Sequence, residues 1–253
     1  MFVRKIVRTV LAALLLVAVS LPVLGAELSV DEIMAKLDEN MFIEKIQYKA
    51  TMVTINRGRE ITKEMTVKAI ADTHALVEFT NRRDRGTRYL KIDDELWMRF
   101  PDTEEIVKIS GHMLRQGMMG SDISYEDALE SSKLQENYTA KLLGSETVNG
   151  RECYLVELTV KPGKEVAYPT RKMWVDKEHF TVWKEEMYAQ SGKLVKESKT
   201  LAVTEIDGRV LPTEVVMENK LRRGSQTRMT LYDIELGGDF SQEDFSLRAL
   251  TRP

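Results

Sequence analysis

The chain has 253 residues, of which 30% are charged and 43% hydrophobic, with a formal net charge of −3 and one cysteine. A weakly acidic balance of mixed sign argues against nucleic acid as a partner, because the phosphate backbone attracts basic surfaces. The single cysteine, Cys153, cannot close an intrachain disulfide, which excludes a small disulfide-stapled domain and favours a buried thiol within a strand.

The first residues have the layout of a secretory signal peptide. A positively charged region at 4–8 precedes an apolar stretch at 10–19, which is shorter than a typical transmembrane helix. Small residues at 25–26 offer a cleavage site for signal peptidase. We predict that residues 1–26 are removed and that residues 27–253 form one soluble exported domain; retention of the segment as an anchor is the alternative. Removal changes the formal charge from −3 to −6, which argues against adhesion to anionic lipid headgroups through charge alone.

An amphipathic helix is predicted to open the mature chain. Ser29 and Glu32 form a capping box, in which each side chain satisfies a free backbone N–H of the first turn. Apolar residues then recur at helical spacing, namely Ile33, Met34, Leu37 and Met41. Such a stripe requires an apolar surface to cover.

After this helix, apolar residues recur at every second position, which is typical of antiparallel strands with one buried face and one solvent-exposed face. Alternation of this kind runs through 46–52, 65–69 and 154–160. Turn signals such as Asn149-Gly150 punctuate the chain at even intervals, and their spacing predicts about ten or eleven strands in up-and-down order. A sheet of that size has to curl, so we predict a mainly β fold, with one large curved antiparallel sheet and a few helices over its concave side.

The segment 111–127 differs from the strand-and-turn pattern around it. Three methionines, Met113, Met118 and Met119, lie between glycines. Methionine suits an apolar surface that adapts to its contents, because its side chain is unbranched and polarizable. We therefore interpret this segment as a lid over an apolar ligand. The alternative is that the methionines only fill gaps in the packing beneath a loop.

Catalytic chemistry has little support in the sequence. The histidines His74, His112 and His179 lie far apart, and none belongs to an H-x-x-x-H or C-x-x-C arrangement. No nucleophile elbow, P-loop or dinucleotide-binding glycine motif occurs. We predict neither a metal nor a cofactor, and no enzymatic activity.

An acidic group at Asp122, Glu126 and Asp127 is the best candidate for general acid–base work. Capping explains it better, because Ser124 and Asp127 form a capping box that opens a short helix through Leu129. Acidic residues in a first turn also complement the helix dipole.

Several stretches resemble the LolA-like outer membrane lipoprotein-sorting proteins, exported carriers of Gram-negative bacteria. They are Leu-Trp-Met-Arg-Phe-Pro at 96–101, the segment 111–127, Met-Trp-Val-Asp at 173–176, Val-Trp-Lys-Glu-Glu-Met-Tyr at 182–188 and Phe-Ser-Gln-Glu-Asp-Phe at 240–245. The resemblance implies an open half β-barrel with helices plugging its mouth and a cavity that receives acyl chains. It also implies a periplasmic protein whose cargo is an acylated lipoprotein or another lipid, with an inner-membrane transporter as donor and an outer-membrane acceptor.

A binding site for acyl chains can be assigned on this basis. The wall is predicted to comprise Met52, Val67, Phe79, Met98 and Phe100, and the lid Leu114, Met118, Met119 and Tyr125. Transfer of an acyl chain of about sixteen carbons from an apolar environment to water costs roughly 12 kcal/mol of free energy. Such a chain therefore needs a carrier to cross an aqueous compartment. Two alternatives stay open: a lipid-responsive sensor that acts through a protein partner, and a hydrolase with an unrecognised site.

Overall fold

The computed structural model describes residues 28–130 and 134–251. The predicted signal peptide, residues 1–26, lies outside the described residues. Within the described part of the chain, no helix is long and apolar enough to cross a membrane. The α-helices are α1 (Val30–Met41), α2 (Tyr125–Glu130) and α3 (Leu134–Asn137), and short 3-10 helices occur at Gly111–Arg115, Met118–Gly120, Gln242–Asp244 and Leu247–Leu250.

Thirteen strands make up one antiparallel sheet. They are β1 (Lys45–Asn56), β2 (Arg59–Ile70), β3 (His74–Phe79), β4 (Arg88–Ile92), β5 (Glu95–Arg99), β6 (Ile106–Ile109), β7 (Tyr138–Val148), β8 (Arg151–Val160), β9 (Thr170–Asp176), β10 (Val182–Tyr188), β11 (Leu194–Ile206), β12 (Arg209–Asn219) and β13 (Ser225–Leu236). The order across the sheet is β6-β5-β4-β3-β2-β1-β13-β12-β11-β10-β9-β8-β7. The sheet is an open half-barrel, as predicted, and β6 and β7 form its two edges.

The strand count exceeds the predicted ten or eleven because two turns carry no glycine or proline signal. Residues 71–73 join β2 to β3, and residues 177–181 join β9 to β10. Ala71 and Phe180 adopt positive φ angles of 45° and 53° there. This conformation is the one that glycine usually supplies at tight turns, so a search for glycine misses both turns.

Helix α1 covers the concave face of β7, β8 and β9. Its predicted capping box is confirmed, since the Ser29 hydroxyl accepts from the Glu32 backbone N–H and the Glu32 carboxylate accepts from the Ser29 backbone N–H. Three residues of the predicted stripe are buried against the sheet: Ile33, Met34 and Leu37. Met41 is 47% exposed, so its predicted place in the stripe is wrong. The concave residues beneath α1 include Tyr154, Val156, Leu158, Met173 and Val175.

Two further hydrophobic clusters lie outside the concave face of the sheet. Phe240, Phe245 and Leu250 of the C-terminal segment pack with Ile70 and Leu90, which alternate with the concave residues of β2 and β4. Cys153, Trp174 and Trp183 form the second cluster. The expectation of a buried thiol is confirmed, and burial raises the pKa of Cys153 to about 11.

Candidate functional site

A compact apolar wall occupies the concave face of β1 to β6. Four of the five predicted wall residues belong to it and are almost fully buried, namely Met52, Val67, Phe79 and Met98. They share the cluster with Ala50, Met65, Tyr89, Leu96 and Ile109. Period-two alternation explains this arrangement, because every second residue of these strands points to the same side.

Phe100 departs from the prediction. It follows the last residue of β5, is 38% exposed and lies outside the wall cluster. The strand ends one residue too early to carry its side chain onto the concave face. Pro101 comes directly after it, and the residues 101–103 form a turn.

Residues 111–130, which we call the lid, lie over this wall. Met113, Leu114, Met118 and Met119 are half-buried and pack against the wall cluster, as does Leu129. Tyr125 is buried, and its hydroxyl lies 3.0 Å from the hydroxyl of Tyr89 on β4. The structure therefore brings all four predicted lid residues onto the predicted wall.

The lid backbone is tightly folded where the methionines meet. Met119 has φ 53° and ψ 27°, a left-handed conformation that costs a residue with a Cβ atom about 1–2 kcal/mol. Gly117 approaches Ser121 so closely that an added Cβ atom would lie 1.9 Å from the Ser121 carbonyl oxygen. Glycine is required at position 117 for this reason. The strain at Met119 is a local cost that the surrounding contacts offset.

Asp122 fastens the middle of the lid to the sheet. Its carboxylate accepts from the Ser225 hydroxyl at 2.6 Å and from the Thr227 hydroxyl at 3.0 Å, both on β13. The Asp122 backbone N–H donates to the Thr227 hydroxyl oxygen at 2.9 Å. All three residues are buried, so these hydrogen bonds satisfy polar groups that water does not reach.

Asp127 fastens the start of α2. The capping interpretation is confirmed, because its carboxylate accepts from the Ser124 backbone N–H at 2.6 Å and its own N–H donates to the Ser124 hydroxyl at 3.2 Å. The same carboxylate pairs with Lys196 of β11 and accepts from the Tyr168 hydroxyl at 2.7 Å. Burial, then the neighbouring Asp127 charge, raises the pKa of Tyr168. Both aspartates of the acidic group are thus structural anchors of the lid.

A buried ion pair adds charge to the concave side beyond the wall. The Arg171 Nε of β9 lies 2.5 Å from a Glu185 oxygen of β10, and both side chains are almost fully buried. Burial alone would lower the pKa of Arg171, but the Glu185 carboxylate raises it. The Arg171 guanidinium also lies 5.7 Å from the centre of the Tyr138 ring. Beside this pair, Lys196 and Asp127 give the concave surface a polar band that the wall lacks.

A surface pocket lies at the C-terminal end of α1 and the start of β1. A cavity of about 400 Å³ is lined mainly by apolar residues, among them Met41, Phe42, Ile43, Ile46 and Leu134. On the same face as Ile46, Tyr48 is enclosed by protein, and this burial raises its pKa to about 12. Tyr48 nevertheless keeps part of its surface accessible. Tyr48 packs against the wall cluster.

Sequence reasoning missed several residues of this site. Tyr89 supplies the hydroxyl that meets Tyr125, while Lys196 and Tyr168 supply the partners of Asp127. Alternation along β4 does not mark Tyr89, because Leu90 and Ile92 are the alternating apolar residues and Tyr89 shares its face with Lys91. No local pattern marks Lys196, because it is 69 residues from Asp127 in the chain. Among the residues that the structure describes, no cluster of His, Cys, Asp and Glu could hold a metal ion.

Comparisons with known proteins agree with this geometry. A family model described as "Uncharacterized protein" matches residues 71–252. A search of curated proteins finds no significant match. Among solved structures, a DUF1329 family protein from Desulfovibrio piger is 25% identical, with a TM-score of 0.81 over 87% of this chain and 97% of that chain.

Two further solved structures share the fold. An outer membrane lipoprotein-sorting protein domain from Vibrio parahaemolyticus is 22% identical, with a TM-score of 0.77 over 87% of this chain and 97% of that chain. A LolA superfamily protein from Nitrosomonas europaea is 23% identical, with a TM-score of 0.73 over 88% of this chain and 99% of that chain. The half-barrel described above is therefore a LolA-type half-barrel.

Proposed function

The chain belongs to the family whose model matches residues 71–252 and has the LolA-superfamily fold, and on this basis we propose that it is a periplasmic carrier of acyl chains. The cargo is the lipid part of a lipoprotein or another acylated lipid, and the direction of transfer is towards the outer membrane. An inner-membrane transporter serves as donor and an outer-membrane component as acceptor. The proposal assigns binding to the wall and the lid and no catalytic role to any residue.

The observation that carries this proposal is the apolar wall beneath a cover of half-buried methionines. Met52 and Phe79 are fully buried, and Met113 and Met118 of the lid pack against the cluster to which they belong. A methionine surface can repack around a flexible hydrocarbon chain, because each side chain has three rotatable bonds. Displacement of the lid would exchange methionine contacts for acyl contacts of similar character, so that loading and release stay nearly balanced.

The structure corresponds to the unloaded form under this proposal, since the lid occupies the wall. Loading then requires the lid to move away, and the rate of lid movement limits uptake. These features support a carrier whose cavity forms as the cargo enters.

Native purification tests the proposal directly. The mature chain would be purified from the periplasm without detergent, and co-purifying lipids would be identified by mass spectrometry. We expect an acylated species at a stoichiometry near one per chain, and saturable uptake of a fluorescent acyl probe by the lipid-free protein. A lipid-free protein that also fails to take up the probe would contradict the carrier function.

A double substitution in the lid tests the assigned site. We expect Met118→Asp with Met119→Asp to abolish probe uptake while the protein stays folded, because two carboxylates would have to lie against hydrocarbon. The matched control is Leu143→Asp with Leu201→Asp, which introduces the same charges at exposed positions in β7 and β11. Undiminished uptake by the lid variant, or equal loss in the control, would remove the assignment.

The polar anchors favour one second candidate, a lipid-responsive sensor acting through a protein partner. Asp122 and Asp127 hold the lid in a defined closed arrangement, and a lipid that releases it would expose a new surface. A transfer assay separates the two functions, because a carrier moves labelled lipid between donor and acceptor vesicles. A sensor would bind the same lipid without accelerating its transfer.

A further inference from the structure

The half-barrel is electrically polarised along its strands. Because the strands alternate in direction, the turns at 57–58, 80–87, 100–105, 161–169, 189–193 and 220–224 lie together at one end, which we call the basic end. These turns carry ten Lys and Arg residues and five Asp and Glu residues. The five turns at the opposite end, at 71–73, 93–94, 149–150, 177–181 and 207–208, carry one Lys and five Asp and Glu residues.

The basic end contains a cavity of about 740 Å³ lined by four arginines: Arg57, Arg59, Arg222 and Arg223. They come from the β1–β2 and β12–β13 turns, which are adjacent because β1 pairs with β13. All four are exposed, and among the described residues none has an ion-pair partner. No acidic residue contributes to the described lining of this cavity.

Apolar side chains lie among these arginines. Ile61 and Leu221 line the same cavity and are 39% and 56% exposed. Gly120 of the lid lines it as well. The cavity therefore combines guanidinium groups, apolar side chains and contact with the lid over the proposed acyl site.

This combination matches the surface of an anionic bilayer. Guanidinium groups bind phosphate oxygens through paired hydrogen bonds and are more weakly hydrated than ammonium groups. Exposed Leu and Ile side chains can enter the boundary between headgroups and acyl chains. A protein of net negative charge would otherwise be repelled from such a surface, so the separation of charge along the strands is what permits contact at one end only.

We propose that the basic end is a membrane-docking surface, in which Arg57, Arg59, Arg222 and Arg223 bind the phosphates of anionic phospholipid headgroups in a bilayer. The proposal goes beyond the carrier function, because it assigns a partner surface whatever the cargo is. Docking through this end places Gly120, and with it the lid, next to the membrane. The acidic end then faces away.

Vesicle binding tests this proposal. Purified mature protein would be floated with vesicles of phosphatidylethanolamine and phosphatidylglycerol, and in parallel with vesicles of phosphatidylcholine alone. We expect binding to the anionic vesicles that weakens as salt is raised, and little binding to the neutral ones. Each arginine near an anionic surface contributes about fivefold in affinity, so the variant with all four arginines changed to Gln should bind at least about a hundredfold more weakly.

The control changes four exposed cations outside the basic end, Lys36, Lys68, Lys141 and Arg248, to Gln, which gives the same net charge. Equal loss in both variants, equal binding to neutral vesicles, or full binding by the four-arginine variant would overturn the proposal. Displacement from vesicles by millimolar glycerol phosphate would also overturn it, because the site would then bind a soluble phosphate. Acyl-probe uptake is measured separately, so failure of docking is distinguishable from failure of the carrier function.

Discussion

The two halves of the concave face are covered in different ways. Over β7 to β9, α1 buries Ile33, Met34 and Leu37 of its apolar stripe, and Ile33 and Leu37 retain no exposed surface. Over β1 to β6, the lid contributes methionines that stay half-buried, and it is fastened by hydrogen bonds at Asp122, Tyr125 and Asp127. One cover is attached mainly by apolar burial and the other mainly by a few polar anchors.

This difference indicates which cover can move. Apolar burial spread along a helix is lost only at a high total cost, because many contacts have to break together. A small number of polar anchors can be exchanged for water one at a time, and each exchange has a modest net cost. The lid is thus the part of the molecule expected to open, and α1 the part expected to stay in place.

The largest expected effect comes from the helix. Leu37→Ala should lower the free energy of unfolding by about 2–5 kcal/mol, because it leaves a cavity in a fully buried site. Met118→Ala in the lid should cost about 1 kcal/mol or less, since this side chain is half-buried. Urea unfolding of both variants measures the difference. Equal losses would show that the two covers are attached with similar strength.

A smaller effect is expected at the anchor of α2. Lys196→Met removes the charged partner of Asp127 and should cost about 1.5–3 kcal/mol, with faster backbone hydrogen exchange in residues 111–130 than in α1. Lys108→Met is the control, because Lys108 of β6 is about half exposed and pairs with the equally exposed Glu95 of β5; a surface pair of this kind contributes at most about 1 kcal/mol. Exchange that accelerates equally in α1 would contradict a separately movable lid.

The smallest effect concerns backbone strain in the lid. Met119→Gly and Met119→Ala remove the same methionine contacts, but only glycine adopts the left-handed conformation without strain. The glycine variant should therefore be more stable than the alanine variant by about 1 kcal/mol in thermal or urea unfolding. The reverse order would mean that position 119 is not left-handed in solution. α1 has no equivalent position, since none of its residues, all of which are described, has a positive φ.

Local patterns predicted much of the fold. The capping boxes at Ser29 and Ser124 involve residues three apart, and both are present in the structure. Alternation placed Met52 and Val67 on one face, since a strand has a fixed period of two. The turns at Ala71 and Phe180 were not predicted, because the residue with the left-handed conformation there is not glycine.

Long-range features could not be predicted in this way. The pairing of Asp127 with Lys196 depends on where β11 lies relative to α2, which no spacing within the chain reveals. Net charge was equally uninformative about the basic end, because the sum over the whole sequence cancels positive turns at one end against negative turns at the other. Whether a charged surface exists depends on strand direction, and strand direction follows from the complete topology.

The two free edges of the sheet have a mechanical consequence. In the described chain no backbone ladder joins β6 to β7, so hydrogen bonds do not set the circumference of the half-barrel. The span between the edges is bridged by the chain between Ile109 and Tyr138, which contains the lid. The distance between the two edges is therefore set by side-chain packing and not by strand pairing. Under the proposed carrier function, we therefore expect the same thirteen strands to accept cargoes of different width, because the distance between β6 and β7 can change without the loss of a strand pairing.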